Sequence, residues 1–259
     1  MSSRTELRAE IAGRLAREAL AAGAGEVCAT FRRSFYLRLP GERYACIGER
    51  ALGCGPLNAL VPAFALPAIG DRVKVDAGSA ALWTPAPVAS AGPAKLDELR
   101  RAARGRVPAE GLGCLVVGEH NAVATHAQPG VEALERWLVG NALEAETEIL
   151  LGLGPGLTPS GDDFLGGVLI ALRACGRAAQ ADALWRWLQP RLAARTSAIS
   201  AAHLAAAAQG EGHEALHRAL TCLFAGTADW PAALDALGGV GHCSGWDGLA
   251  GAAAVARLA

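Results

Sequence analysis

The stretch from Gly152 to Gly167 places glycines, hydroxyls and two adjacent carboxylates where a loop leads into an apolar helix. Glycines allow backbone amides to turn toward a bound group, and the first turn of a helix supplies N–H groups without intrahelical partners. The stretch therefore predicts a site for a small polar or anionic substrate. Its candidate residues are Gly154, Gly156, Thr158, Ser160, Gly161, Asp162 and Asp163.

Two nucleotide-binding motifs are excluded by the same stretch. A phosphate-binding P-loop requires a lysine followed by Ser or Thr, and no lysine lies nearby. The dinucleotide-binding fingerprint requires a third glycine where Leu157 or Pro159 stands. The loop therefore implies neither ATP nor NAD.

A later segment repeats this helix start. Ser160–Gly167 aligns with Ser244–Gly251, 84 residues later, with five identities in eight positions. Each segment can be interpreted as a Ser N-cap followed by Gly and then by a capping Asp. This interpretation leaves Asp162, whose counterpart is Trp246, without a structural role. Asp162 is therefore the preferred catalytic or ligand-binding candidate.

The first helix has an alternative register. Thr158 could be the N-cap with Pro159 at the first helical position, which would carry both aspartates into the second turn. In either register successive helical residues diverge by about 100°, so Asp162 and Asp163 cannot both face one ligand. One carboxylate is expected to face the site, and the other the helix start or a neighbour.

Two such helix starts facing each other would form an anion pocket. Their positive dipole ends favour a carboxylate or phosphate, while an aspartate could hold a divalent metal such as Mg²⁺, an ammonium-like group or an amide N–H. No motif requires a cofactor. Ser244 and Gly245 join the predicted substrate-binding residues. The predicted catalytic residues are Asp162, Asp163, His242 and Asp247.

His242 lies near Ser244 and Asp247, as a nucleophilic triad would require. The Ser-bearing elbow of such enzymes needs glycines at positions 242 and 246, where this chain has His242 and Trp246. A triad is therefore not predicted. Two interpretations of His242 stay open. It could act as an acid or hydrogen-bond donor to the substrate, or its imidazole could simply be packed in the fold.

Two further segments carry candidate ligands. His213 and His217 match the short zinc motif H-E-x-x-H, which needs a third ligand and fits a solvated helix start equally well. Arg195 precedes the hydroxyls of Thr196 and Ser197 at another predicted helix start. One hydroxyl is expected to cap that helix, and Arg195 could pair with a substrate carboxylate in a bidentate contact.

Composition narrows the class of protein. The chain has 259 residues, 52% of them hydrophobic, which is ample for a large core. Its net charge of −1 and the absence of a basic run argue against binding to nucleic acid or an anionic membrane.

Seven cysteines without a C-x-x-C pair are expected to be buried thiols in a reducing cytosol. With no secretory signal or bilayer-length apolar run, a cytoplasmic protein is expected.

The two halves of the chain differ in their predicted elements. Leu7, Ile11, Leu15 and Leu20 have helical spacing and predict an N-terminal helix. Short runs between turn residues then predict six strands. These runs are 27–31, 35–39, 44–47, 57–61, 72–75 and 80–83. A charged helix at 95–104 and a buried strand at 113–117 follow.

From residue 131 onward the patterns are helical. The predicted helices are 131–151, 162–175, 179–188, 196–209, 214–224, 231–237 and 245–258. The fold class is therefore α+β. A β-rich barrel or sandwich-like domain is predicted at residues 1–118, and an all-α domain carrying the glycine-rich motifs at residues 119–259.

The segments Gly154–Leu165 and Gly241–Asp247 together resemble the AllH-like family of bacterial proteins, and the resemblance extends over the whole chain. Cys243 departs from the family pattern, which commonly has Thr at that position. The resemblance implies a subunit of oxamate carbamoyltransferase, which acts in allantoin and purine breakdown. It also implies companion subunits, one of them similar to acyl-CoA synthetases.

The implied activity converts oxalurate and phosphate reversibly to oxamate and carbamoyl phosphate. These small anions suit two facing helix starts. The hypothesis places phosphate or carboxylate on the amides of Gly154–Gly161, the carbamoyl N–H or a metal on Asp162, and proton transfer on His242. Two other functions stay open: a non-catalytic subunit that binds a carboxylate or phosphate and assembles the complex, and a metal-dependent amidohydrolase-like enzyme.

Overall fold

The computed structural model describes residues 5–88, 93–226 and 229–258. Contacts between Cα atoms divide the chain into unit 1, Met1–Pro85, and unit 2, Ala86–Ala259. The predicted α+β class is confirmed, with a curled β-sheet followed by a helical region. The predicted domain boundary at residue 118 stays a prediction, because a division of contacts does not define an independently folding domain.

Unit 1 is one eight-stranded sheet with one α-helix, α1 (Arg14–Leu20), and a short 3-10 helix, Arg50–Leu52, in its described part. The strands are β1 (Thr5–Arg8), β2 (Ile11–Gly13), β3 (Gly25–Thr30), β4 (Ser34–Leu39), β5 (Arg43–Gly48), β6 (Asn58–Leu60), β7 (Arg72–Asp76) and β8 (Ala81–Trp83). Their order in the sheet is β1-β7-β3-β4-β5-β6-β2-β8. All six strands predicted between residues 27 and 83 are therefore present.

The sheet curls because β1 and β2 are nearly continuous yet pair with different neighbours. Between them, Ala9 N–H donates to the Asp76 carbonyl and Glu10 N–H to the Leu60 carbonyl, both at 2.8 Å. β1 pairs in parallel with β7, and β2 pairs antiparallel with β6. One stretch of chain thereby connects distant parts of the sheet and bends it into a half-barrel.

The predicted N-terminal helix is wrong over its first half. β1 and β2 occupy residues 5–13 except for a two-residue link, and the helix begins only at Arg14. The pairing partners of these two strands lie about 50 to 70 residues further along the chain. The local spacing of Leu7 and Ile11 carries no information about these partner strands. Strand formation depends on such partners, so the spacing alone could not predict β1 and β2.

The core of unit 1 lies on the inner side of this sheet. Phe35 faces Ile47 across the β4–β5 pair, and both side chains are fully buried. Val27, Leu37 and Ala45 join the same cluster. The short apolar runs that predicted β3, β4 and β5 supply these core side chains.

Unit 2 is helical throughout its described part. Its α-helices are α2 (Leu96–Ala103), α3 (Ala122–Leu138), α4 (Ser160–Ala174), α5 (Ala178–Leu188), α6 (Leu192–Arg195), α7 (Ala198–Ala207), α8 (Glu214–Leu220), α9 (Trp230–Gly238) and α10 (Ser244–Arg257). None of these helices, within the described ranges, has the length and apolar character needed to span a membrane.

Two predictions in unit 2 are wrong. The expected buried strand at 113–117 is a 3-10 helix, Gly113–Val116, because the amides of Leu112 and Gly113 bond to a side chain of α10 instead of a neighbouring strand. The helix expected at 131–151 is α3 followed by a separate 3-10 helix, Ala145–Leu150. α3 starts early because Asn121 caps it and Pro129 is accommodated within it.

Candidate functional site

Helices α4 and α10 cross at glycines. A Cβ atom placed on Gly167 would overlap the carbonyl oxygen of Gly248, and one placed on Gly251 would overlap that of Phe164. Only glycine lets two helix backbones approach this closely. The sequence repeat relates Gly167 to Gly251 and Phe164 to Gly248 at the same offset of 84 residues. The repeat is therefore also a local two-fold arrangement of the two helices.

The same arrangement brings the two helix starts together. The Ser160 hydroxyl lies beside the Asp247 carboxyl, and the Ser244 hydroxyl lies beside the Asp163 carboxyl. The hydroxyls of Thr158 and Ser244 are 3.1 Å apart. The expectation that the glycine-rich motifs meet is confirmed for these residues.

The capping-box interpretation of the two serines is wrong. α4 begins at Ser160 with Pro159 as its N-cap, and α10 begins at Ser244 with Cys243 as its N-cap. Neither N-cap residue makes a side-chain capping hydrogen bond. The serine hydroxyls instead face the carboxylate of the opposite helix, because the close crossing places that carboxylate within reach.

Asp162 has a structural role, contrary to expectation. Its side chain is 1% exposed, and its Oδ1 accepts a hydrogen bond of 2.8 Å from Gly152 N–H. Its Oδ2 accepts hydrogen bonds from the hydroxyls of Thr196 and Ser200. Asp162 therefore ties the glycine-rich loop to the start of α7.

Asp163 is the less satisfied of the two aspartates. It is half-buried, and its Oδ2 is buried without a hydrogen-bond partner. Burial raises the pKa of Asp163 well above its ordinary value, and the charges of Asp247 and Asp162 raise it further. The hydroxyls of Ser244 and Thr158 oppose this rise. The environment therefore favours the protonated carboxyl, which can donate a hydrogen bond or a proton.

Asp247 is fixed mainly through one of its two carboxylate oxygens. Its side chain is 1% exposed, and its Oδ1 accepts hydrogen bonds of 2.5 Å from Leu112 N–H and 3.1 Å from Gly113 N–H. Its buried Oδ2 has no hydrogen-bond partner. Burial raises the pKa of Asp247 to about 6, against the opposing effects of Ser160 and the two amides.

The loop before α4 presents unused donors. Within the described part of the chain, no hydrogen bond uses the amide of Gly154, Gly156, Leu157 or Thr158. Gly154 and Gly156 have φ values of 108° and 97°, which favour glycine. This backbone can direct amide groups toward an anion at the helix start.

Gly161 and Gly245 occupy matching packing positions. A Cβ on Gly161 would overlap the carbonyl oxygen of Leu150, and one on Gly245 would overlap that of Leu237. Each glycine lets a preceding segment pack against the helix start. Their predicted role in substrate binding stays a prediction, whereas their role in packing is evident from these contacts.

The side chains of residues 195–197 already bond to other groups of the protein. Arg195 Nη2 lies 2.6 Å from Glu148 Oε1. The Thr196 hydroxyl donates to Asp162, and the Ser197 hydroxyl donates to the Leu157 carbonyl at 2.6 Å. Ser197 also caps α7, as expected for one hydroxyl of this segment. Substrate binding by these three residues stays a prediction.

His242 lies at the edge of the paired helix starts. Its side chain is 81% exposed, and its Nε2 lies 3.2 Å from Glu110 Oε2. The thiol of Cys243 lies close to both groups. Burial, followed by the charges of Asp247, Glu110 and Asp163, raises the pKa of Cys243 to about 11.

The H-E-x-x-H match has structural partners. His213 is the N-cap of α8 and its Nδ1 accepts from Ala215 N–H, while His217 Nε2 accepts from Gly212 N–H at 3.1 Å. Among the described residues, these histidines belong to no cluster of three possible metal ligands. The helix-start interpretation is the one that fits.

Acid should destabilise this helical region through its histidines. Burial lowers the pKa of His203 and of His217 to about 4, with a smaller effect from the charge of His213. The unfolded histidines bind protons near pH 6.5, so stability is full above that pH and falls as the pH drops toward 4. At pH 5 we expect a loss of about 2 kcal/mol per histidine.

Urea unfolding at pH 7 and pH 5 measures this loss. The variants His203→Gln and His217→Gln should each reduce the difference between the two pH values. His126→Gln, which alters an exposed helix position, is the matched control and should leave the difference unchanged. Equal pH dependence in all four proteins would contradict the expectation.

Part of the candidate site could not be found from the sequence. Glu110 and the amides of Leu112 and Gly113 lie beside Asp247 and His242, more than 130 residues earlier in the chain. The sequence pattern predicted a buried strand at 113–117 and did not indicate this contact. Only the packing of this segment against α10 brings it to the site.

Comparison with known proteins supports the relationship indicated by the motifs. Residues 150–256 match the family model described as oxamate carbamoyltransferase subunit AllH. This segment is AllH-like. It contains α4, α10 and both glycine-rich helix starts, so the predicted resemblance is confirmed over these residues.

The AllH-like segment covers less than half of the 259 residues. No curated protein and no solved structure matches the chain. The description of the family is that of an enzyme subunit. The residues outside the AllH-like segment include unit 1 and Glu110, Leu112 and Gly113.

Proposed function

We propose that this chain is a substrate-binding and catalytic subunit of a carbamoyltransferase that interconverts oxalurate plus phosphate and oxamate plus carbamoyl phosphate in allantoin breakdown. The family match supports the reaction. One observation carries the location of the site: Asp163 keeps a buried oxygen without a partner beside the hydroxyl pair of Thr158 and Ser244. A carboxyl whose protonated form is favoured is suited to general acid catalysis.

The proton balance of the reaction gives Asp163 a specific task. A phosphate oxygen attacks the carbamoyl carbon of oxalurate, and the bond from that carbon to the oxamate nitrogen breaks. The departing nitrogen takes a proton, which Asp163 donates. The attacking hydrogen phosphate loses its own proton as the carbamoyl–oxygen bond forms, and this proton restores the Asp163 carboxyl.

The unused amides supply the binding site for the substrate. Those of Gly154, Gly156, Leu157 and Thr158 would bind the terminal carboxylate of oxalurate or oxamate, helped by the positive end of α4. The hydroxyls of Thr158 and Ser244 would bind carbonyl oxygens. Each of these groups lies in or beside the first turn of α4 or α10.

The other acidic residues would act through Asp163. Asp247 is fixed by two backbone amides, and its charge raises the pKa of Asp163. Asp162 holds the loop in place through Gly152 and α7. Both are therefore positioning residues in this proposal. His242, exposed beside Glu110, is the candidate for proton exchange with solvent.

A second candidate function is a binding subunit whose companion supplies the phosphate site. The observation favouring it is the ion pair between Arg195 and Glu148. This arginine already has an anionic partner within the chain and is not free to bind phosphate. Without a free Arg195 to pair with a dianion, a companion subunit would bind the phosphate in this case. The isolated chain would then bind oxamate or oxalurate but not phosphate.

Thermal unfolding with a ligand panel tests the binding site. We expect oxamate and oxalurate to raise the Tm of the isolated chain, since a ligand at 100 times its Kd contributes about 2.7 kcal/mol. Thr158→Val should remove the increase, whereas Thr125→Val, which deletes a helix-surface hydroxyl, should retain it. Carbamoyl phosphate and phosphate then distinguish the two functions.

The set of ligands that raise the Tm distinguishes the two candidate functions. Stabilisation by phosphate or carbamoyl phosphate as well as oxamate supports the catalytic subunit. Stabilisation by the carboxylates alone supports the second candidate. No shift with any of the four ligands, or an equal shift in Thr158→Val, contradicts the proposed site.

A further inference from the structure

Three different metal-ligand types meet beside the start of α10. One donor atom from each of Glu110, His242 and Cys243 lies within 4.8 Å of the other two. Among the described residues these three form the one cluster of this kind. Carboxylate oxygen, imidazole nitrogen and thiolate sulfur are the ligand set of Zn²⁺.

One pair of donor atoms already has nearly the spacing of a tetrahedral site. Bond lengths to zinc place neighbouring donor atoms about 3.3 to 3.8 Å apart. His242 Nε2 and Glu110 Oε2 are already 3.2 Å apart, and their side chains are 81% and 72% exposed. They can therefore rotate by small amounts toward a metal without disturbing the core.

Cys243 gives the cluster a fixed anchor. It is the N-cap residue of α10 and is 8% exposed, so its position is set by the helix. A Cβ placed on Gly111 would lie 2.9 Å from Cys243 Cβ and 3.0 Å from Asp247 Oδ2. Cys243 and the buried Asp247 Oδ2, which has no hydrogen-bond partner, therefore both border Gly111.

The surrounding charge is negative. Asp247, Glu110 and Asp163 all act electrostatically on Cys243. Their combined field favours a cation beside the thiol, and a bound divalent ion would stabilise both the thiolate and the unpartnered carboxylate.

We propose that Glu110, His242 and Cys243 form a binding site for one Zn²⁺ ion. Three protein ligands leave the fourth tetrahedral position open for water or for an oxygen of a ligand. This site shares only His242 with the proposed carbamoyl-transfer site, and metal binding there does not require the carbamoyl-transfer proposal to be correct.

Titration of the full chain with Co²⁺, followed by displacement with Zn²⁺, tests this site. We expect one Co²⁺ per chain, with the near-ultraviolet charge-transfer absorption of a cobalt–thiolate bond. Cys243→Ser should abolish this absorption. His242→Ala should weaken Zn²⁺ binding by more than the roughly 10- to 100-fold that loss of a group bonded to a metal ligand costs, because His242 would bind the metal directly. Cys54→Ser, in unit 1, is the matched control and should bind like the original chain.

Three results would overturn the site. They are the absence of a thiolate absorption band with Co²⁺, the persistence of that band in Cys243→Ser, and unchanged Zn²⁺ affinity in His242→Ala. Because His242 is largely exposed, the His242→Ala variant should fold normally, as circular dichroism can verify. Ligand binding at Thr158 is measured without metal, so the two proposals can fail independently.

Discussion

Gly167→Ala is expected to destabilise the protein by about 3 kcal/mol, near the upper end for overpacking in a rigid core. The added methyl group would overlap the carbonyl oxygen of Gly248, which is backbone and cannot rotate away. The two helices would have to separate, and the buried contacts along α10 would loosen. Urea unfolding of the folded variant measures the change in free energy.

The adjacent glycine provides the control. A Cβ on Gly166 would lie 3.7 Å from Ala207 Cβ, which is ordinary van der Waals contact. Gly166→Ala should therefore be neutral or stabilising by up to about 1 kcal/mol, because alanine favours helix more than glycine does.

The two-fold arrangement adds a second test. Gly251→Ala should cost about as much as Gly167→Ala, since its methyl group would overlap the Phe164 carbonyl in the equivalent position. If Gly167→Ala were no less stable than Gly166→Ala, the close crossing of α4 and α10 would be contradicted.

Asp163→Asn is expected to lower kcat/KM for carbamoyl transfer at least about 100-fold in the complex with companion subunits. Asparagine keeps the size of the side chain but cannot donate a proton to the oxamate nitrogen. Carbamoyl phosphate formation from oxalurate and phosphate measures this effect. Oxamate binding, followed by thermal unfolding, should be retained.

Unlike its activity, the stability of the Asp163→Asn variant should not fall. The raised pKa of Asp163 means that its ionisation opposes folding, so stability is lost as the pH rises above the unfolded value of about 3.8. The groups facing it are Asp247, Asp162, Ser244 and Thr158. Asp163→Asn should therefore be at least as stable as the original chain at pH 7, with no advantage near pH 3.

Asp162→Asn is the matched control on the neighbouring carboxylate. It places an NH₂ group against either Gly152 N–H or two donating hydroxyls, so it should lose stability. Turnover per folded molecule should fall much less than in Asp163→Asn. A larger loss of turnover in Asp162→Asn than in Asp163→Asn would contradict the acid role of Asp163.

Several features of this chain could be predicted from sequence. Short apolar runs bounded by turn residues located β3, β4 and β5, because the strands of a sheet are short segments separated by turns. The glycine-rich motifs located the starts of α4 and α10 because glycines and small polar residues are favoured there. The offset repeat also predicted that these starts are related.

Other features depended on partners distant in sequence. β1 and β2 were interpreted as helix because Leu7 and Ile11 have helical spacing, while their strand partners lie far along the chain. The apolar run at 113–117 is short enough to fit a strand or a helix. The amides of Gly113 and of the preceding Leu112 bond to Asp247 in α10, and no local pattern contains that information.

The sequence by itself determined the chemistry available to this protein: two related helix starts rich in glycine, hydroxyls and carboxylates. Only the tertiary structure decided how those groups are used. Adjacent aspartates on one helix face different neighbours, so Asp162 is satisfied by Gly152 and α7 whereas Asp163 keeps an unpartnered oxygen. The physical reason is that the hydrogen-bond partners of a carboxylate come from the elements packed around it, and the glycine-mediated crossing of α4 and α10 sets those elements in place.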